Sequence, residues 1–174
     1  MTPPPQPSVV QSIKEWIDSV PIITRYILFF TLGISVGAKL GILHPRQIIL
    51  FTPAILDKYE VWRLLTCHLF SSGSNMIWHI FLLFQNSKNL ETGYYSNRRA
   101  DYVFLLIIMI LVMDIIGGIM GYFLLSEAFG MAITYLYANV NGEQVVSFMF
   151  GFQFKAMFLP WVMLFVVSFL SVYC

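Results

Sequence analysis

From Tyr102 to Leu125 this sequence carries a single charged side chain, Asp114. The run is longer than the roughly 20 residues that a helix needs to cross a bilayer. Composition decides between a membrane span and a buried core helix. The residues are 58% hydrophobic and 11% charged, whereas an ordinary soluble domain is about 45–50% apolar and about 25% charged. Ten basic and nine acidic side chains cannot cover the surface of a soluble domain of 174 residues, so an integral membrane protein is expected. A net charge of +1 gives no support to a nucleic-acid partner.

The other hydrophobic blocks then fall into place around residues 101–125. Residues 22–43 form a first span, with Arg25 and Lys39 near its ends where long side chains snorkel. A second, short span covers residues 74–87, a fourth 128–139 and a fifth 156–174. The expected fold is all-α, a multi-span membrane helical bundle with five spans. Ahead of it, residues 1–21 read as a proline-rich flexible start and a short amphipathic helix. Ile13, Trp16, Ile17 and Val20 fall at helical spacing there, which places that helix on the membrane surface. No cleavable signal peptide is visible, because no basic region followed by an apolar core follows Met1. Cys67 and Cys174 show no metal or redox spacing and read as small apolar residues. Lys and Arg on alternate sides number six against four, which favours a cytoplasmic N-terminus.

Two sets of glycines offer close approach between helices. Gly33, Gly37 and Gly41 repeat every four residues in the first span, and Gly117 and Gly121 do so in the third. Residues 44–72 are too polar to span and too apolar for a free loop, so they are expected to be interfacial or re-entrant. Within them lies Trp62-Arg63. Trp settles at a membrane–water boundary, and Arg can lay its stem on apolar surface while its guanidinium reaches phosphates. Residues 140–150 read as a turn and a Phe-rich re-entry.

Polar residues inside the spans open the question of chemistry. Asn75, His79 and Gln85 in the second span and Asn139 in the fourth are candidates to line a wet lateral groove. An intramembrane hydrolase needs a nucleophile beside a general base, both shielded from lipid. Serines near the spans, Ser35, Ser87 and Ser126 among them, occupy no Gly-x-Ser-Gly-like turn, and His-x-x-x-His metal spacing is absent. No catalytic residue, metal or other cofactor is therefore expected. A transporter is the second reading, resting on Asp114 alone without a matching half-repeat.

The residues resemble the Derlin family, the rhomboid-like pseudoproteases of endoplasmic-reticulum-associated degradation, along nearly the whole chain. The resemblance is carried by Pro21-Ile22-Ile23-Thr24-Arg25-Tyr26, Gly37-Ala38-Lys39-Leu40-Gly41-Ile42, Trp62-Arg63, Leu90-Glu91 and Ala100-Asp101-Tyr102. Its most specific part is Val146-Ser147-Phe148-Met149-Phe150-Gly151, with Phe154-Lys155-Ala156 and Leu159-Pro160-Trp161-Val162. Gly151, Phe154, Lys155, Pro160 and Trp161 are the signature positions. The wider rhomboid superfamily carries His-x-x-x-Asn in its second span, where this chain has Asn75-x-x-x-His79, the reverse order. The catalytic serine of active rhomboids would fall near Phe129-Gly130-Met131-Ala132, and no serine stands there.

The resemblance implies a rhomboid-like membrane domain over residues 22–174, in the endoplasmic reticulum membrane, with no enzymatic activity. It implies six spans; the match to the fifth ends at Cys174, so the sixth is expected to be missing and the domain incomplete at its C-terminus. It further implies that misfolded proteins are moved to the cytosol for ubiquitination. The implied partners are these misfolded substrates, a membrane-embedded ubiquitin ligase complex, a cytosolic AAA ATPase reached indirectly, the bilayer itself, and homo- or hetero-oligomers. A scaffold of the ligase complex is the alternative, and an intramembrane protease the more distant one.

Overall fold

A computed structural model describes residues 9–71, 76–147 and 153–173. The chain runs through nine α-helices, a single 3-10 turn at Ala156–Phe158 and one hairpin among the described residues. They are α1 (Val9–Ser19), α2 (Ile22–Lys39), α3 (Pro45–Ile48), α4 (Thr52–Lys58), α5 (Arg63–Leu69), α6 (Met76–Thr92), α7 (Arg99–Met120), α8 (Ser126–Val140), β1 (Val145–Ser147), β2 (Gln153–Lys155) and α9 (Leu159–Tyr173).

Two of the helices, α2 and α7, are long and apolar enough to cross a membrane. Neither is a soluble core helix, since large apolar side chains such as Phe29, Phe30, Ile107, Leu111, Ile115 and Ile119 stand exposed along them. Exposed apolar surface on that scale is stable only against lipid. Helices α6, α8 and α9 hold 17, 15 and 15 residues.

Helix α8 sits centrally, in contact with α5, α6, α7 and α9. Leu83, Leu90, Tyr102, Phe129, Ile133 and Leu159 form the largest buried cluster at these contacts. Inside a bilayer such a cluster gains little from leaving water, because lipid tails are as apolar as leucine; packing and interhelical hydrogen bonds hold the helices instead. Those bonds are present. Asn86 donates to Thr134 Oγ1 (2.8 Å), which passes its own proton to the Gly130 carbonyl (2.8 Å). Together they fix the register of α6 on α8.

Several boundaries differ from expectation, each for a local reason. Helix α6 runs past residue 87 through Leu90-Glu91 to Thr92, directly before Gly93, and Glu91 is held against the start of α2. Helix α7 ends at Met120, since Gly121 takes a left-handed φ of 75°. The fold is mostly helical, as expected, with one addition: a hairpin in which Val145, Val146 and Ser147 pair antiparallel with Lys155, Phe154 and Gln153. β-Branched Val145-Val146 after the Asn141-Gly142 turn favour a strand over a re-entrant helix.

The glycine surfaces are only partly realised. Gly41 lies beyond α2 at φ 74° and serves, like Gly121, as a helix stop rather than a packing site. Gly33 has open space around it, and Gly37 meets Leu43 of its own connecting segment. Gly117 is the one pressed by other elements: a Cβ there would stand 2.9 Å from Leu125 and 3.3 Å from Leu50.

Candidate functional site

The segment between α2 and α6 folds as three short helices laid along the bundle, with Arg63 as its internal bracket. Trp62-Arg63 opens α5, and the two side chains part at once. Arg63 is 6% exposed, whereas Trp62 is 55% exposed. The Arg63 guanidinium pairs with Glu60 and donates to the carbonyls of Arg46 (2.6 Å) and Ile49 (3.0 Å). Thr66 adds a bond to the Ile48 carbonyl (3.1 Å). Of the guanidinium expected to reach phosphates, Nε is held by Glu60 and Nη1 by the two backbone carbonyls that α3 leaves open. Trp62, Tyr59, Val61 and Leu65 project from the same turn as an exposed apolar edge, which fits a boundary position.

A second polar centre joins α2, α6 and α7. Glu91 is 2% exposed and accepts from the backbone N–H groups of Ile23 (3.1 Å) and Thr24 (2.8 Å) and from the Thr24 hydroxyl (2.9 Å). These are N–H groups of the first turn of α2, which Pro21 leaves without a side-chain cap. A carboxyl there satisfies orphan donors and complements the helix dipole. The Thr24 hydroxyl lies 3.2 Å from that of Ser87, which lies 2.8 Å from that of Tyr102. Because Thr24 gives its only proton to Glu91, Ser87 must donate to Thr24 and Tyr102 to Ser87. Each hydroxyl then has one direction.

The third centre lies where α5 meets α7. Asp114, the mid-span carboxyl, sits 3.0 Å from His68 Nε2 and 3.7 Å from Cys67 Sγ. All three are buried, and their potential metal-ligand atoms lie within 4.8 Å of one another. His68 stacks edge-on against Phe129 (5.6 Å). Burial, with the Asp114 carboxyl beside it, pushes the Cys67 thiol up to about 12. Sequence spacing shows no such cluster, because Asp114 comes from a helix more than 40 residues downstream.

The four candidates for a polar groove are not brought together. Asn75 lies outside the described residues. His79 is buried, with Nε2 2.9 Å from the Ser126 carbonyl, and borders a void of about 20 Å³, room for one water rather than a polypeptide. Gly130 makes that position possible, since a Cβ there would stand 2.7 Å from His79 Nε2. Gln85 is exposed on α6. The physical reason is helix periodicity: six residues from His79, Gln85 faces a different side. Asn139 alone opens onto a sizeable space, a cavity of about 460 Å³ between α8 and α9, shared with Tyr135, Pro160 and Trp161. Its amide is bonded to the Tyr135 carbonyl (3.1 Å).

The remaining signature positions divide between core and surface. Phe154 is half-buried against the main cluster, and Lys155 reaches Glu143 across the hairpin (2.9 Å). Gly151 lies outside the described residues.

Comparison with known proteins shows the family. The model of the Der1-like family matches residues 20–172. The chain is 34% identical over 160 residues to Derlin-1 of Homo sapiens, covering 89% of this chain and 64% of that protein. It is 35% identical over 153 residues to Derlin-1 of Drosophila melanogaster, covering 85% and 62%. A probable derlin-2 homolog of Dictyostelium discoideum is 29% identical over 165 residues, covering 90% and 65%. The chain thus spans somewhat less than two thirds of the length of these relatives. With a family match running from the end of α1 to the last turn of α9, the chain belongs to the Der1-like family of membrane proteins.

Proposed function

We propose that this chain is a non-catalytic, rhomboid-like component of endoplasmic-reticulum-associated degradation that helps misfolded proteins pass from the lumen or membrane to the cytosol. Membership of the Der1-like family supports the pathway. The observation that carries the mechanism is helix length. Fifteen residues in α8 and 17 in α6 reach only about 22 and 25 Å at about 1.5 Å per residue, against roughly 30 Å of hydrocarbon. A central helix that short draws the bilayer inward. A thinner, wetter membrane lowers the cost of passing a polypeptide whose unsatisfied backbone groups each cost several kcal/mol in lipid.

In this reading the five helices α2, α6, α7, α8 and α9 cross the endoplasmic reticulum membrane from a cytoplasmic N-terminus. The exposed Trp62 edge rests in the luminal leaflet, and the α8–α9 cavity, largely apolar with Asn139 and Tyr135 on its wall, is the side entrance. A membrane-embedded ubiquitin ligase complex, copies of this or related chains and, indirectly, a cytosolic AAA ATPase are the partners. The absence of enzymatic activity is supported by His79, whose recorded bond goes to the Ser126 carbonyl and not to its hydroxyl.

Site-specific photocrosslinking in cells tests the reading. A misfolded luminal substrate stalled in transit should crosslink to probes at Asn139 and Trp161 and not to one at Phe30, which faces lipid on α2. Equal labelling at Phe30 would sink it. Intact ligase assembly with no substrate label anywhere would favour the scaffold.

A further inference from the structure

A cavity of about 440 Å³ opens between the interfacial segment and the α7–α8 link, bordered by Arg63. Its lining combines Arg46, Lys58, Glu60 and Arg63 with an apolar wall of Phe51 and Phe123. Backbone pairing holds that wall in place: the Leu50 N–H donates to the Phe123 carbonyl (2.9 Å). Charge in the cavity does not cancel. Its one carboxylate, Glu60, is already taken by Arg63. Arg46 and Lys58 are exposed and take part in no ion pair among the described residues. Asp57, next to Lys58 in sequence, does not line the space.

We propose that this cavity binds the phosphate of an anionic glycerophospholipid between Arg46 and Lys58, with an acyl chain lying along Phe51 and Phe123. Two unpaired cations at one mouth supply what a phosphate monoester or diester demands. Half-exposed aromatic rings beside them supply what only a lipid, and not a free anion, would use: Phe51 is 46% and Phe123 53% exposed. The exposed edge of Tyr59, Val61 and Trp62 sets the cavity at headgroup depth. Arg63, with Nε on Glu60 and Nη1 on two backbone carbonyls, forms the floor between the two exposed cations. A lipid held here would pin the interfacial segment to one leaflet, independently of any role in protein transport.

The full chain, purified in detergent, is assayed by native mass spectrometry with dioleoyl phosphatidic acid, dioleoyl phosphatidylcholine and inorganic phosphate as separate probes. Phosphatidic acid should be retained about tenfold or more over phosphatidylcholine. The R46Q/K58Q double variant should fall to the phosphatidylcholine level, and R46K/K58R should keep the preference. Undiminished retention by a folded R46Q/K58Q overturns the proposal, as does displacement of the lipid by equimolar inorganic phosphate, which marks a free-anion site. Amine acylation of Lys58 in the unaltered protein needs no variant. It should slow in vesicles containing phosphatidic acid relative to pure phosphatidylcholine; equal rates overturn the assignment.

Discussion

Trp62 and Arg63 are adjacent in sequence but serve opposite environments, and substitution should separate them. Arg63→Ala leaves the carbonyls of Arg46 and Ile49 and the Glu60 carboxylate without their donor, so a loss of about 1–3 kcal/mol is expected. Trp62→Ala removes only exposed surface and should change melting in detergent by less than about 0.5 kcal/mol. Thermal unfolding of the two purified variants checks this; equal losses would contradict the division. Glu91 is the other decisive side chain. Glu91→Gln puts an amide N–H₂ where three donors converge, and a loss of about 1–3 kcal/mol is expected in the same assay. An unchanged melting temperature would show that the α2 start is capped by something else. Glu91 was legible in sequence only as part of Leu90-Glu91 near the end of a span. Its acceptor role depends on residues 67 and 68 positions earlier, which no local pattern reports.

Among the elements, the hairpin is the one that hydrophobic periodicity missed. Three residues per strand are too few to show alternation, and its central pair, Val146 with Phe154, is only half-buried. Its outer edge is tied by Lys155 to Glu143, whose carboxyl is held below the usual carboxylate range by that hydrogen bond and by the ammonium charge. A carboxyl lowered in this way stabilises the hairpin at pH values above its ordinary value, and the contribution disappears as pH falls through the lowered one. Amide hydrogen exchange at 145–147 and 153–155 should therefore accelerate, after correction for intrinsic rates, on acidification through that window. Glu143→Gln should abolish the pH dependence. Helices α1, α2 and α7 were legible because amphipathic or continuous apolar runs announce themselves over many residues. The three short helices of residues 45–69 were legible only as an interfacial region, since helices of four to seven residues form through tertiary bonds rather than propensity.

For the whole molecule, the mismatch between the 22 residues of α7 and the 15 of central α8 sets a preference for membrane thickness. Reconstituted in dimyristoyl phosphatidylcholine, the protein should melt about 2–4 °C higher than in dierucoyl phosphatidylcholine. The opposite order would argue against local thinning by α8.

Sequence alone determined the membrane setting, the amphipathic first helix, the long spans and the family resemblance, because these rest on composition, on periodicity and on motifs in fixed order. Tertiary structure decided which polar groups meet. It drew Asp114 to Cys67 and His68, seated Glu91 at the start of α2, and sent His79, Gln85 and Asn139 to separate places. The physical reason is that lipid offers no partner to a polar group. Some, like Asn139, take a carbonyl of their own helix; for Asp114, Glu91 and His79 the partner lies across the bundle, and how the helices turn and pack around α8, not spacing along the chain, selects it.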